Sequence, residues 1–224
     1  MGVKGWYLDN ALFVSASAFY MDRENMQAKS WVLSPPADWL GYFDNVDGGE
    51  NYGIELESRW QVLTNLNVFA SIGLLDTELG DLEVRDLDGE AGDRLRQNGR
   101  SQAHAPEYQF NIGGELKVLN NLYITIEVDG KDEFYFSNSH NEKSDSYELV
   151  HSSISYRGED LTITAWGRNL TDEDYQIRGF YFDNTPDDYR TNHAYYQFGE
   201  PRVCLLYTSP SPRDRTRSRM PSSA

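Results

Sequence analysis

Apolar side chains recur at every second position in several separate segments of the sequence, and this alternation constrains the fold more than any other feature. The clearest case runs from Tyr52 to Val62, where Glu55, Glu57 and Arg59 occupy alternate positions. A period of two places apolar and polar side chains on opposite faces of a β-strand, whereas a helix needs a period of about 3.6. The pattern predicts nine amphipathic strands, the first and last incomplete. Further clear examples lie at 66–74, 108–118 and 122–128, and weaker ones at 14–20, 150–156 and 161–165.

Short and long connections alternate along the chain. Compact turn sequences join strands at Asp9–Asn10, Thr64–Asn65, Asn120–Asn121 and 158–160, and long polar stretches occupy about 23–50, 77–105, 131–145 and 172–194. Tight turns at one end and long loops at the other are typical of a bacterial membrane barrel. We therefore predict an all-β fold, an antiparallel up-and-down transmembrane β-barrel fragment of about nine strands with short periplasmic turns and long outer loops.

The two faces of these strands predict two environments. The uncharged face is expected to meet lipid, and the face rich in Glu, Gln, Asn, Lys and Thr is expected to meet a wet lumen. The alternative is a soluble, lipocalin-like barrel with reversed faces, in which Glu55, Glu57 and Arg59 lie outside in water around an apolar core.

Charge and motif content argue against several functions. The formal net charge is −16, although residues 205–224 carry four Arg against one Asp, so the rest of the chain is still more acidic and unsuited to nucleic acid. The four His are scattered, and neither a nucleophile elbow nor a phosphate loop occurs. We predict no enzyme, no cofactor and no metal site, and we interpret the calcium-loop-like stretch Asp86-Leu-Asp88-Gly89 as a solvated outer loop.

Two stretches near the C-terminus resemble a particular family. Residues 165–175, AWGRNLTDEDY, are similar to the penultimate strand of TonB-dependent outer-membrane receptors, and residues 178–182 with 199–202 resemble the approach to the final strand. Residues 51–57 and 105–111 resemble two further hairpins, so the likeness covers most of 2–203. It implies a location in the bacterial outer membrane and a barrel of about 22 strands closed around a plug domain. Residues 1–203 would be the C-terminal part of that barrel, without the plug or a signal peptide.

Residues 204–224 depart from the family pattern. A final barrel strand should keep alternating and end on an aromatic residue, but this stretch holds three prolines and an Arg-Ser run. It resembles translated sequencing-adapter read-through. We predict a non-native, disordered tail that contains Cys204, the single cysteine.

Aromatic clusters in the long stretches have two interpretations. Rings near strand ends suit an interfacial girdle, and rings further out, with Arg and His, suit a ligand vestibule. The predicted ligand contacts are Trp39, Tyr42, Phe134, Tyr135, Arg178, Tyr181, Arg190 and His193.

The function that the resemblance implies is active import of a scarce ligand. The expected ligand is a ferric siderophore or similar small molecule, and the other partners are outer-membrane lipid and the TonB complex, reached through a plug absent here. Two alternatives stay open: a passive porin-like or structural outer-membrane barrel, and a soluble β-rich binding module.

Overall fold

The computed structural model describes residues 1–34, 38–46, 48–89, 93–188 and 191–210. These residues form fifteen β-strands. Their bounds are β1 Gly2–Tyr7, β2 Leu12–Arg23, β3 Met26–Ser34, β4 Asp38–Val46, β5 Gly49–Leu63, β6 Leu66–Leu79, β7 Glu83–Arg85, β8 Arg94–Arg96, β9 Tyr108–Leu119, β10 Leu122–Lys131, β11 Tyr147–Arg157, β12 Leu161–Arg168, β13 Gln176–Phe182, β14 His193–Phe198 and β15 Val203–Pro210. Within these ranges no helix is long and apolar enough to cross a membrane.

Nine strands form one antiparallel sheet in the order β1-β2-β5-β6-β9-β10-β11-β12-β15. Each strand pairs with the next strand of the sheet along the chain, so the path is an up-and-down meander. The predicted all-β fold and its nine strands are confirmed. The sheet formed by the described residues is open, with β1 and β15 at its edges.

The four predicted tight turns all lie at one end of this sheet. At the first, Leu8, Asp9 and Asn10 have φ of 52°, 55° and 67°, and Ala11 N donates to the Leu8 carbonyl at 3.0 Å. Asp and Asn tolerate this left-handed backbone better than most residues, which is why they mark the turn. The long connections consequently meet at the opposite end.

Three of the four long connections contain hairpins of their own. Strands β3 and β4 pair within the first, β7 and β8 within the second, and β13 and β14 within the fourth. The third, residues 132–146, holds an isolated bridge between Tyr135 and Lys143. The sequence predicts long polar loops at all four connections, so these hairpins are additional structure.

One face of the nine-stranded sheet is mainly apolar, and across its middle it carries no charged residue. Each residue in the following row pairs with the next: Tyr7, Leu12, Trp60, Val68, Gly114, Ile126, Ser152, Gly167 and Cys204. Ile54, Leu74 and Ile126 on this face are each about half exposed, at 53, 49 and 55%. Exposed apolar surface of this extent is unfavourable in water and suits lipid, which disfavours the soluble barrel with reversed faces.

The buried apolar side chains of the described residues concentrate beyond the outer ends of the strands. Leu79, Leu82 and Val84 form a cluster, against which Met26 and Leu95 pack. Met26 belongs to the first long connection and the others to the end of β6 and the second. The cluster therefore ties two outer loops together.

The strand β15 extends further along the chain than the sequence predicts. Residues 203–210 pair with β12 from Arg168 back to Leu161, although we predicted disorder from residue 204. The physical reason is that Cys204, Leu205, Leu206 and Tyr207 supply apolar side chains to both faces of a strand before the first proline. Residues 211–224 lie outside the described residues, and the foreign origin of the tail stays a prediction.

Candidate functional site

A cavity of about 820 Å³ lies between three of the outer connections. The second connection contributes Arg85, Leu87 and His104, the third contributes Phe136, Ser137, Ser139 and His140, and the β13–β14 hairpin contributes residues 178–184 and Asn192. These segments are distant in sequence, so the cavity exists only because the meander brings all the long connections to one end of the sheet.

Two phenylalanines of the third connection pack at or behind the cavity lining. The Phe134 ring is 3% exposed and lies 5.3 Å from the His104 ring and 5.5 Å from the Phe136 ring, centre to centre. Phe136 packs directly over Gly179 of the hairpin, where any Cβ atom would overlap its ring. Phe136 thus lines the cavity, and Phe134 packs behind it against His104 and Phe136.

Arg100 holds the third connection in shape. Its guanidinium donates hydrogen bonds to the carbonyls of Ser137 at 2.5 Å and His140 at 2.8 Å, and to the Asn141 side chain at 2.8 Å. It also lies over the Tyr135 ring, 4.1 Å from the centroid. Burial lowers the pKa of Arg100, which nevertheless stays protonated because guanidinium is so strongly basic. The third connection is therefore held by a half-buried cation as well as by the packed Phe134 and Phe136 rings.

The cavity lining combines guanidinium, imidazole and aromatic groups. Arg178 lies over the Phe180 ring at 4.7 Å. Burial lowers the pKa of His140, which favours the neutral imidazole at neutral pH, and Glu142 N donates to its Nδ1 at 3.3 Å. Rings offer flat apolar contact area, and guanidinium and amide groups bind oxygen acceptors. This chemistry suits binding of a ring-bearing, oxygen-rich molecule.

Three side-chain hydrogen bonds connect the β13–β14 hairpin to its neighbours. The Tyr181 hydroxyl donates to Asp88 Oδ1 at 2.6 Å, and the Tyr196 hydroxyl donates to Glu142 Oε2 at 2.7 Å. These hydrogen bonds raise the pKa of Tyr181 to about 12 and the pKa of Tyr196 to about 12. Asn192 donates to the Leu87 carbonyl. The hairpin is thereby connected to both neighbouring loops.

A second concavity, of about 730 Å³, lies on the polar face of the sheet. Its lining includes Glu55, Glu57 and Asp129. The Asp129 carboxylate accepts from Asn111 and lies 2.8 Å from His151 Nε2, while His151 Nδ1 accepts from Asn169 N at 3.1 Å. These residues are a hydrogen-bonded polar wall, as a wet lumen requires.

The predicted ligand contacts fall into three groups. Arg178 and Tyr181 line the outer cavity, whereas Phe134 packs behind the lining residues His104 and Phe136, and Tyr135 lies between Arg100 and Lys143. The His193 Nε2 lies 3.4 Å from Asp188 Oδ2 and His193 is not part of the lining. The backbone of Trp39 and Tyr42 belongs to β4, but their side chains, and all of Arg190, lie outside what the structure describes.

Sequence reasoning missed several residues of the lining, chiefly Arg85, His104, Phe136, His140 and Asn192. The aromatic cluster at 134–136 was visible in the sequence, but choosing Phe136 over Phe134 requires knowing which ring faces Gly179. Arg85 and His104 are ordinary polar loop residues, and nothing in the local pattern distinguishes them.

Two further observations concern acidic residues. Among the described residues, no group of three or more His, Cys, Asp or Glu is placed to hold a metal ion. Asp88, from the calcium-loop-like stretch, accepts the hydrogen bond of Tyr181.

Comparison with known proteins places these features in context. Residues 1–170 match the model of the family described as TonB dependent receptor-like, beta-barrel. Among solved structures, the chain is similar to the siderophore receptor PiuA from Acinetobacter baumannii, with a TM-score of 0.69 and 20% identity over 93% of this chain and 28% of that one. It is also similar to the ferric yersiniabactin uptake receptor FyuA from Yersinia pestis, with a TM-score of 0.65 and 18% identity over 92% of this chain and 28% of that one. A third similar structure is the copper transporter OprC, with a TM-score of 0.64 and 13% identity over 92% of this chain and 29% of that one. The chain thus spans less than a third of the length of these proteins.

Proposed function

We propose that this chain, which belongs to the TonB-dependent receptor β-barrel family, forms part of a receptor that imports a ferric siderophore with energy supplied through TonB. The family consists of outer-membrane receptors and not of enzymes. The observation that carries the proposal is the 820 Å³ cavity at the outer end of the sheet. A passive pore gains nothing from a cavity that is lined with convergent rings and guanidinium groups, whereas a receptor needs one.

Capture would take place in the outer cavity. The rings of Phe136, Phe180 and Phe182 would supply apolar contact to a large chelate, and Arg178 would donate to its oxygen atoms. After release from the cavity, the ligand would pass along the polar face of the sheet, where Glu55, Glu57 and Asp129 keep the wall hydrated. A plug and the TonB complex would supply the gate and the energy.

The names of the similar structures support a metal or metal-chelate ligand without fixing which one. PiuA and FyuA are named for siderophore uptake and OprC for copper. Because these proteins share at most 20% identity with the chain, the ligand assignment rests on the family and on the lining of the cavity.

Growth rescue tests the proposal. An uptake-deficient strain that carries the receptor containing this chain is supplied with one ferric chelate at a time, and we expect at least one to restore growth. Arg178→Ala should then raise the chelate concentration needed for half-maximal growth about tenfold, the effect of losing one charged hydrogen bond.

The matched control is Arg96→Ala. Arg96 is also an arginine of the outer connections, but it does not line the cavity. Its ion pair with Glu83, at 3.0 Å, is exposed to solvent and therefore contributes little to the stability of the fold. Rescue by no chelate would contradict import. Equal responses of the two variants would instead show that the ligand is not held by Arg178.

A further inference from the structure

The third long connection, residues 132–146, has little regular structure of its own. The structure describes all of its residues, and they hold one isolated β-bridge, between Tyr135 and Lys143, and no strand. The strand β10 ends at Lys131, β11 begins at Tyr147, and the two strands pair directly with each other. The sheet therefore fixes the two ends of the connection, whereas the course of the chain between them depends on contacts with its neighbours.

The first half of this connection is held by the backbone of the second connection. His104 N donates to the Tyr135 carbonyl at 2.8 Å, and Ala103 N donates to the Asn138 side-chain oxygen at 2.8 Å. These two bonds place residues 135–138 beside residues 103–104.

The second half is held by one side chain, that of Arg100. Its two terminal nitrogens donate to the carbonyls of Ser137 and His140 and to the Asn141 side chain, and the guanidinium plane lies over the Tyr135 ring. A guanidinium presents its N–H groups in fixed directions and loses little freedom for each bond that it forms. Arg100 thus sets the course of residues 137–141 relative to the second connection.

The residues that Arg100 places belong to the wall of the outer cavity. Ser137, Ser139 and His140 line that cavity, and so does His104, four residues after Arg100 in the chain. Arg100 itself is not part of the lining. It therefore joins two walls of one cavity without contacting the space between them.

We propose that Arg100 is a positioning residue for ligand binding, which fixes the wall formed by Ser137, Ser139 and His140 in the arrangement that the ligand requires. The proposal rests on the proposed function, because a ligand must bind in this cavity for the wall to matter. Without Arg100 the wall would adopt several arrangements, and the apparent affinity would fall in proportion to the fraction of receptors in the binding arrangement. The sheet would be unaffected, since β10 and β11 keep their mutual pairing.

Uptake kinetics separate positioning from a purely structural contribution. Cells that carry the receptor containing this chain are given a neutral ferric trihydroxamate or a trianionic ferric tris-catecholate, and the initial uptake rate is measured against concentration. For Arg100→Gln we expect the half-saturating concentration to rise about tenfold, which corresponds to a binding arrangement held by about one receptor in ten. A residue that only stabilises the fold would instead lower the number of folded receptors and the maximal rate, and would leave the half-saturating concentration unchanged.

Arg100→Lys separates geometry from charge. Lysine keeps the positive charge but lacks the planar fork, so it cannot make the same set of bonds. The half-saturating concentration should lie between those of the parent receptor and Arg100→Gln, whether the imported chelate is neutral or anionic. Parent-like uptake by Arg100→Lys, with a loss in Arg100→Gln confined to the anionic chelate, would overturn positioning in favour of long-range charge.

The matched control is Arg96→Gln. Arg96 belongs to the same connection as Arg100, but it donates to Glu83 within that connection at 3.0 Å. The same chemical change therefore removes an ion pair inside the second connection and leaves the bonds of Arg100 to the third in place. A half-saturating concentration equal to that of the parent receptor is expected.

Amide exchange provides a measurement that needs no ligand. Residues 137–142 should lose protection in Arg100→Gln and keep it in Arg96→Gln, while β10 and β11 exchange as in the parent receptor. Equal protection in the two variants, or an unchanged half-saturating concentration in Arg100→Gln, would overturn the proposal. If Arg100→Gln does not fold, Arg100→Lys decides by the same comparisons. A parent receptor that imports neither chelate would contradict the proposed function, and amide exchange would still show whether Arg100 organises the connection.

Discussion

At the scale of single residues, an aromatic ring lies over a glycine of the neighbouring strand at several places in the nine-stranded sheet. Phe19 faces Gly53, Phe69 faces Gly113 and Phe110 faces Gly130, each directly across a strand pair. The ring covers the backbone that the missing Cβ leaves open, and such pairs also pin the register of neighbouring strands. These glycines are required by close approach of a ring and not by unusual backbone angles.

The Phe69–Gly113 pair gives the first prediction. A Cβ atom on Gly113 would lie 2.5 Å from the Phe69 ring and 2.7 Å from the Ile126 carbonyl oxygen, so Gly113→Ala must displace the ring or the backbone. We expect a loss of about 1–3 kcal/mol, typical of overpacking, seen as a lower temperature for loss of the folded band in detergent. Gly73→Ala is the control, because its Cβ would meet only the Gln109 side chain at 3.6 Å on the same face. Equal shifts in the two variants would contradict the explanation.

His140 gives a pH dependence. It is 8% exposed, and burial, helped by the nearby charge of Arg100, lowers its pKa although Glu142 opposes the shift. The unfolded loop then binds a proton more readily than the folded one, so the stability of the loop falls as pH drops below about 6.5 toward the lowered pKa. Amide exchange of residues 134–144, corrected for intrinsic rates, should show less protection at about pH 5 than at about pH 7.5.

Substitution isolates the contribution of this imidazole. His140→Gln should remove most of the pH dependence, whereas His193→Gln, at a half-exposed position on β14, should leave it. An unchanged pH dependence in His140→Gln would assign the effect to other groups.

At the scale of elements, the main sheet could be predicted and the outer hairpins could not. Alternation along β5 and β6 and the Asn or Asp turns are local signals, so they show in the sequence directly. The hairpins β3–β4, β7–β8 and β13–β14 lie in stretches rich in turn-forming residues, which hide short strands. The end of β15 also differs from the prediction, because the apolar residues before Pro210 pair with β12 although prolines follow them.

The corner after β12 supplies the element-scale prediction. The Asn169 amide donates to two carbonyls, and its oxygen accepts from Glu173 N at 2.8 Å. Asn169→Asp keeps the acceptor but places a buried carboxylate against the carbonyls of Glu173 and Glu200. We expect a loss of about 1–3 kcal/mol or more, measured as a lower temperature for loss of the folded band. Asn98→Asp makes the same chemical change at an exposed position and should have little effect. Equal losses in the two variants would contradict a stabilising role of the Asn169 hydrogen bonds.

At the scale of the whole molecule, the candidate site is a product of topology. Tyr181 and Asp88 are 93 residues apart, and Tyr196 and Glu142 are 54 apart. No local pattern links such residues, so the sequence could indicate ligand-binding residue types in the loops but not the ones that meet. Arg178 and Tyr181 are predicted and both line the cavity, whereas Phe134 has the right chemistry but packs behind the lining against His104 and Phe136.

The charge of the outer end leads to the last prediction. The four long stretches, 23–50, 77–105, 131–145 and 172–194, carry net charges of −3, −3, −2 and −4, whereas the cavity lining contains Arg85 and Arg178 against Asp183. We call these four acidic stretches the rim. At long range their negative charge dominates, so at low salt an anionic chelate should approach slowly, whereas the approach of a neutral chelate should be unaffected. Raising the ionic strength from about 0.01 M to about 0.1 M shortens the Debye length from about 30 Å to about 10 Å and should speed association of the anion several-fold.

Association rates of a trianionic ferric tris-catecholate and a neutral ferric trihydroxamate, measured with outer membranes containing the receptor, provide the comparison. The neutral chelate controls for salt effects on the protein itself, because its long-range interaction with the rim is weak. A rate for the anion that falls with salt would mean that the guanidinium groups of the cavity, and not the carboxylates of the rim, set the field that an approaching ligand meets.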